Sequence, residues 1–332
     1  MNMKRILSLI AVTLITFTAA TAQRISVVTE NGTTSIFRTL QEAIEGADPG
    51  STIYLPSGGF TIADNVKITK KLTIIGIGHK SDNENADGST IISGNLWFNE
   101  NSSGSAVMAC YITGNVNIGE GDAAVNDVTI RFCNLNSVQV LNSTCQETVV
   151  NQCYVRGQSS FGQSSNITID NNVINRISEV GSGFIRNNVL TYENWHSTYG
   201  YGIDYYTLHS VNNCVISGNI IRIATGRIHT GSGCTANNNL IIGGSWGDNP
   251  VIIETTEDGC FENLNGWAIT PVSKFHFKDD FAEYEHQVGI YAGDGFNESQ
   301  QAPVPSIVAK DIPQQTDAAG NLNIKIRVKA GN

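Results

Sequence analysis

Charge is scarce in this chain: Asp, Glu, Lys and Arg make up 15% of its 332 residues, against about 25% in an ordinary soluble domain. Basic residues are the scarcer sign, 20 against 30 acidic ones. Long apolar runs are also missing once the first 22 residues are set aside. The opening segment carries Lys4 and Arg5, the apolar "ILSLIAVTLITFTAA" and small residues Ala20 and Ala22 at an A-x-A-like site, and reads as a secretory signal peptide. No later run is apolar over the 18 or so residues that a spanning helix needs, so no membrane span is expected. Cleavage would leave Gln23 first, with no thiol there for a lipid. The expectation is an exported protein in the periplasm, at the cell surface or outside the cell. Loss of Lys4 and Arg5 leaves 18 basic against 30 acidic residues, a net charge of −12. Nucleic acid is thereby an unfavourable partner, and an acidic polymer needs local cations to bind.

Clustered acids are missing too. Only ten Asp and Glu lie between residues 95 and 249, and Asp170, Glu193 and Asp204 share no repeat position. No metal site is therefore expected, and no cofactor. The seven cysteines are an odd number, and a chain this long can bury a core without disulfide staples.

What the chain has in abundance is asparagine: 35 residues, 24 of them between 95 and 249. They fall in a template of an apolar residue, two variable residues, Asn or Cys, and then two residues of which the second is usually apolar. It fits "ISGNLW", "VMACYI", "IRFCNL", "VNQCYV", "IDNNVI", "IRNNVL", "ISGNII" and "ANNNLI", giving the column Asn95, Cys110, Cys133, Cys153, Asn172, Asn188, Asn219 and Asn239. The gaps are 15, 23, 20, 19, 16, 31 and 20 residues. Packed helix pairs need a steadier period, whereas coils of short strands joined by loops tolerate such variation.

Positions three before the column (Val107, Ile130, Val150, Ile169, Ile185, Ile216, Ala236) and two after it (Ile112, Leu135, Val155, Ile174, Leu190, Ile221, Ile241) are apolar and read as interior. The position two before it holds Arg131, Asn151, Asp170, Arg186, Ser217 and Asn237 and reads as outward, since alternate strand residues face opposite ways. Asp170 and Arg186 then meet on adjacent rungs. The architecture that stacks equivalent positions in this way is a parallel β-helix, an all-β solenoid. Stacked Asn side chains can bond amide to amide up the column, and Asn also tolerates the left-handed backbone of a bend. Cys110, Cys133 and Cys153, and Cys214 with Cys234 five residues before the column, read as small buried free thiols rather than bridges. Cys145 and Cys260 carry no pattern.

An open solenoid end needs a cap. In "TLQEAIEGADPG" Thr39 and Glu42 have capping-box spacing, Leu40, Ala43, Ile44 and Ala47 form one apolar stripe, and Asp48-Pro49-Gly50 stops the helix. The stretch "FRTLQEAIEGADPGSTIYLPSGGFTI … ITKKLTIIGIG" resembles the opening of the pectin-lyase-like right-handed β-helix superfamily. The likeness, with the Asn ladder, covers roughly residues 25–250. It implies an all-β, right-handed parallel β-helix with a short N-terminal capping helix and a small β-rich C-terminal extension. The superfamily holds lyases, hydrolases, epimerases and noncatalytic adhesins, so fold does not fix activity. The turn Gly289-Ile290-Tyr291-Ala292-Gly293 and the tail "NLNIKIRVKA", with Leu322, Ile324, Ile326 and Val328 alternating, resemble the closing segment of secreted β-helix repeat proteins of Gram-negative gut bacteria. Domain bounds follow: 1–22 signal peptide, 23–79 cap and first coils, 80–259 ladder-bearing helix, 260–332 closing segment and tail.

The 31-residue gap marks an insertion, and insertions in solenoids gather on the binding face. It holds Tyr192, Trp195, His196, Tyr199, Tyr201, Tyr205, Tyr206 and His209. Aromatic rings with polar tips suit sugar faces, and they equally suit folding a long loop onto the wall. The leading expectation is noncatalytic binding of a polysaccharide or surface glycan by a monomer. The alternatives are a polysaccharide lyase or related enzyme on acidic glycans, and a purely structural surface protein. A lyase needs a base and a means to neutralise the uronate; Arg222, Arg227 and His229 are the candidates. Family lyases commonly use Ca²⁺, which enters only under this alternative. For glycoside hydrolysis Glu193 and Asp204 are the nearby carboxylate pair, with no spacing to fix their separation.

Overall fold

A computed structural model describes residues 24–79, 88–191, 206–222, 227–242, 246–248, 250–253, 260–262, 264, 270, 273–302, 306–311 and 324–329. The signal-peptide reading, Leu322 and most of the aromatic insertion therefore lie outside the described residues.

The chain begins with a small antiparallel set, Ile25–Val28 between Thr34–Phe37 and Thr52–Tyr54. Between the last two strands lies helix α1, Leu40–Gly46. Thr39 Oγ1 accepts the Glu42 N–H while the Glu42 carboxylate accepts the Thr39 N–H, so both ends of the capping box are made. Leu40, Ala43 and Ile44 are buried, which turns the predicted stripe onto the open end of the first coil.

From Thr52–Tyr54 onward every neighbour in the first sheet is parallel. It continues through Thr73–Ile75, Ala106–Met108, Thr129–Arg131, Val149–Asn151, Ile167–Asp170, Gly183–Arg186, Cys214–Ser217 and Thr235–Asn237. A second sheet stacks the return strands, among them Tyr111–Ile112, Asn134–Leu135, Tyr154–Ser164, Val173–Val180, Val189–Leu190, Ile220–Arg222 and Leu240–Ile242. The fold is a parallel β-helix. Its interior is the pair of apolar files read from sequence: Val107, Ile130, Val150, Ile169, Ile185 and Ile216 on one sheet, Ile112, Leu135, Val155, Ile174, Leu190, Ile221 and Ile241 on the other, all essentially inaccessible. Each coil removes such residues from water only by stacking on its neighbours, at roughly 1.5–3 kcal/mol per buried large aliphatic side chain.

The corner between the sheets corrects the sequence reading in two ways. The left-handed residue is the one before the ladder: Ala109, Phe132, Gln152, Asn171, Asn187 and Asn238 have φ of 53, 54, 52, 53, 56 and 49°. The ladder residue itself points inward. Asn172, Asn188, Asn219 and Asn239 are 0–1% exposed. The second correction concerns Asn95, which falls outside this column. Ile91 and Ile92 pair with Tyr111 and Ile112, and Leu96 with Val116. Asn95 therefore stacks beside Asn115, whose N–H it accepts at 2.8 Å. The anomalous first gap of 15 belongs to a different corner.

All seven cysteines are free. Cys214 and Cys234 continue one register, since Val215 pairs with Thr235. Asp170 and Arg186 are register partners with a 2.9 Å ion pair.

After the last coils the chain returns as a strap along the outside of the left-handed corner. Gly289 N–H donates to Gly218 O at 2.7 Å, and Asn171 Nδ2 donates to Ile290 O and Ala292 O at 2.8 and 2.7 Å. Asn297 N–H donates to Gln152 Oε1 at 2.6 Å, Gln300 meets His79 at 3.1 Å, and Ala302 packs with Ile75, Ala109 and Phe132. Residues 289–302 thus run from the late coils back to the early ones. Gly289 has φ +74°, and a Cβ there would sit 2.4 Å from Ile220 Cδ1, so the turn needs glycine. The strand Lys325–Lys329 forms an antiparallel pair with Ser306–Asp311.

Candidate functional site

The second sheet bends in each coil, and the bend explains where the insertion falls. Tyr154–Ser164 and Val173–Val180 pass through it unbroken. In the next turn Val189–Leu190 precedes the bend and Tyr206–Val211 follows it, so the insertion in the sequence falls between these two strands.

Beyond the bend, single polar or aromatic residues stand between interior apolar ones: "LWF", "VNI" and "VQV". Leu96, Phe98, Val116, Ile118, Val138 and Val140 are buried, so the residue between each pair points away from the core, although Asn117 and, further along, Ser178 are covered to 5% and 2% exposure. Register then builds one file across the strands: Trp97 pairs with Asn117, Asn117 with Gln139, Gln139 with Ser160, Ser160 with Ser178, Ser178 with His209, and His209 with His229. Six steps of about 4.8 Å make it about 29 Å long.

Rings occupy its two ends. At one end Lys67 Nζ lies 3.3 Å from the Trp97 ring centroid and 3.0 Å from Glu120. A cavity of about 430 Å³ opens beside it, lined by Asn99, Glu100, Glu120 and Asp122. At the other end the rings of Tyr206, His209 and His229 form a triangle, with centroids 5.1, 5.4 and 5.5 Å apart. Between the ends the side chains hold one another. Gln139 Nε2 donates to Ser137 Oγ and Gln158 O at 2.9 and 2.8 Å, and Gln158 Nε2 donates to Ser178 Oγ at 3.2 Å. Arg176 Nη1 donates to Gln158 Oε1 at 3.2 Å, and Ser160 Oγ donates to Glu179 at 2.5 Å. A strip held by its own hydrogen bonds is ordered before any ligand arrives, which lowers the entropy cost of binding.

Of the residues singled out in the sequence, Tyr206, His209 and His229 come together here. Arg227 is the backbone register partner of Tyr206. Arg222 is placed elsewhere: it lies before the bend, pairs with Ile242, and is 8% exposed. Tyr192, Glu193, Trp195, His196, Tyr199, Tyr201, Asp204 and Tyr205 lie outside the described residues. Among the described residues no group of three or more His, Cys, Asp or Glu could hold a metal ion, and no helix is long and apolar enough to cross a membrane. Trp97, Asn117, Gln139, Ser160, Ser178 and Arg176 escaped the sequence reading, which followed the Asn template. The signal was present only in the early coils, in the triplets "LWF", "VNI" and "VQV"; the later coils read "SSF", "ISE", "LHS" and "IHT" and share no pattern with them.

No family model, no curated protein and no solved structure matches the chain.

Proposed function

We propose that the protein is an exported, noncatalytic carbohydrate-binding β-helix related to the pectin-lyase-like superfamily, and that it lays an extended glycan along the file from Trp97 to His229. The observation that carries this reading is the file itself: rings at both ends, with the partly exposed Gln139 and Ser160 between them, over about 29 Å of stacked strands. Rings stack on sugar faces and the amides and hydroxyls meet sugar hydroxyls. A line of that length suits a polymer better than a single terminal sugar. In the sequence the aromatic insertion immediately precedes the strand that carries Tyr206 and His209.

Affinity electrophoresis through gels of neutral and acidic polysaccharides, preceded by a glycan array, tests it. Retardation by at least one linear polymer is expected, reduced about tenfold in affinity by Trp97→Ala and by His209→Ala, with Trp195→Ala and Tyr201→Ala probing the insertion. Absence of binding to every polymer, or binding unchanged in all four variants, removes the proposal.

A second reading has one observation behind it. His229 lies within ring contact of His209 and Tyr206, so a base and a phenol stand together at that end of the file, as β-elimination by a lyase would use. Incubation with pectic, alginate and glycosaminoglycan polymers, with and without Ca²⁺, and measurement of unsaturated product by absorbance decides it.

A further inference from the structure

The closing segment contains a charged cluster that the glycan file does not use. His276 lies between two carboxylates: its Nδ1 meets Glu285 Oε1 at 2.5 Å and its Nε2 meets Glu298 Oε1 at 3.1 Å. Tyr291 Oη donates to the same Glu298 oxygen at 2.9 Å, and Lys274 Nζ pairs with Glu298 Oε2 at 2.9 Å. The other Glu285 oxygen accepts the Phe277 N–H at 2.8 Å. The Tyr291 ring stacks on the imidazole with centroids 4.3 Å apart and planes 4° from parallel.

These contacts join three parts of the chain: the extended residues 274–277, Glu285 after the 3₁₀ turn Asp279–Tyr284, and the strap residues Tyr291 and Glu298. A carboxylate only accepts hydrogen bonds, so an imidazole satisfies both carboxylates only when both of its nitrogens carry protons. Neutral imidazole donates to one and turns a lone pair toward the other. We propose that protonated His276 is the latch that holds the strap 289–302 against the left-handed corner, and that loss of its proton loosens the strap. The outward apolar file Val173, Val189, Ile220 and Leu240, which packs with Phe261, Phe275, Phe277, Val288 and Ile290, is what a loosened closing segment would uncover.

The direction of the pH dependence follows from the surroundings. Burial pulls the His276 pKa down, but the hydrogen bonds and charges of Glu285 and then Glu298 outweigh it and leave it raised above 6.5. A raised folded value means that the latch is complete below that ordinary value and is lost as pH climbs through the folded one. Burial pushes Glu298 up, but Lys274, Tyr291 and His276 together hold it below its ordinary 4.5. Its contribution is therefore present above 4.5 and is lost only as pH falls through the lower folded value. Burial and then Glu298 raise the Tyr291 phenol, so it stays a donor throughout the window. His286, whose Nδ1 lies 3.4 Å from Tyr291 O, is the other nearby imidazole.

Amide hydrogen exchange of the full chain at about pH 6 and about pH 9, corrected for intrinsic exchange, reads the latch against the ladder amides 185–190 as reference. Strap protection is expected to fall about tenfold for each pH unit by which the folded His276 pKa exceeds the unfolded one, in the wild type and in His286→Gln alike. In His276→Gln the strap is expected to exchange equally at both pH values. Equal strap protection in the wild type at both pH values, or the same fall in His276→Gln, overturns the proposal. Should that variant not fold, an NMR titration of the wild-type imidazole decides: a pKa above 6.5 that tracks strap exchange supports the latch, and one at or below it overturns it.

Discussion

Asn172, Asn188, Asn219 and Asn239 fill the inner corner of the later turns with amides, and Cys110, Cys133 and Cys153 fill the same corner of three earlier turns with thiols. In the amide half, each Asn Nδ2 donates to a carbonyl of the preceding coil: Val150, Ile169, Ile185 and Ile216 at 2.8, 2.9, 2.8 and 2.9 Å. Each Oδ1 accepts the backbone N–H of the residue below it, as from Asn172, Asn188 and Asn219 at 2.9, 2.9 and 3.1 Å. The thiols reach the equivalent partners at longer range. Cys153 Sγ lies 3.5 Å from Ile130 O but 3.3 Å from Asn151 O, and Cys133 Sγ 3.7 Å from Val107 O but 3.2 Å from Arg131 O, so each single thiol proton has two carbonyls to choose between; the Cys133 N–H reaches Cys153 Sγ at 3.5 Å. At the junction Cys153 N–H donates to Asn172 Oδ1 at 2.8 Å. One corner is therefore satisfied by two chemistries, one strong and one weak, and burial keeps the thiols as donors by raising the pKa of Cys110 and Cys153.

The comparison predicts unequal costs of truncation, and the amide half gives the largest effect. Asn188→Leu keeps the approximate volume but strands the Asn172 N–H and removes the side-chain donor to the Ile169 carbonyl, while the Asn219 Oδ1 keeps the backbone N–H of residue 188. Unpaired buried groups cost about 1–3 kcal/mol each, and partial relaxation brings the expected total to about 4 kcal/mol in urea unfolding. Cys133→Ala removes one sulfur and weak bonds, for an expected loss of about 1–2 kcal/mol. Equal losses in the two variants would break the comparison.

Converting one half into the other sharpens it. Cys153→Asn places an Nδ2 toward Ile130 O and an Oδ1 toward the Cys133 N–H, the partners its sulfur already reaches. A gain of about 1 kcal/mol in unfolding free energy is expected, since a neutral hydrogen bond contributes about that much net. A loss of similar size would show that the early coils are too tight for an amide, and that thiols stand there for their volume.

The interior was legible in sequence because burial imposes its period on every coil: Ile130, Ile169 and Ile216 have no alternative but to be apolar. The bend was misplaced by one residue because inward and left-handed positions are adjacent and both accept Asn, as in Asn171-Asn172 and Asn187-Asn188. Only the non-Asn turns separate them, where Ala109, Phe132 and Gln152 take the left-handed position and the thiols take the inner one. Asn95 misled because its corner also carries Asn, in Asn115 and Asn136. The outward file was harder to see. Trp97, Gln139, Ser178 and His229 share no residue type, and only the strand register, a long-range property, puts them in line. His276 and its carboxylates come together for the same reason, through a strap whose position no local pattern encodes.

The smallest effect is expected on the outer face of the same rungs. Asp170 and Arg186 stand two residues before Asn172 and Asn188, paired at 2.9 Å, with Arg186 side-chain exposure of 40%. Burial raises the Asp170 pKa more than Arg186 lowers it, so the carboxylate is not a source of stability at neutral pH. Arg186→Met is expected to cost at most about 1 kcal/mol, the range of surface pairs, and less still in about 1 M salt, where charges on the surface are screened within about 3 Å. Urea unfolding at low and high salt measures it. A salt-sensitive loss as large as that of Asn188→Leu would mean that the outer charges, rather than the inner amides, distinguish the late coils from the early ones.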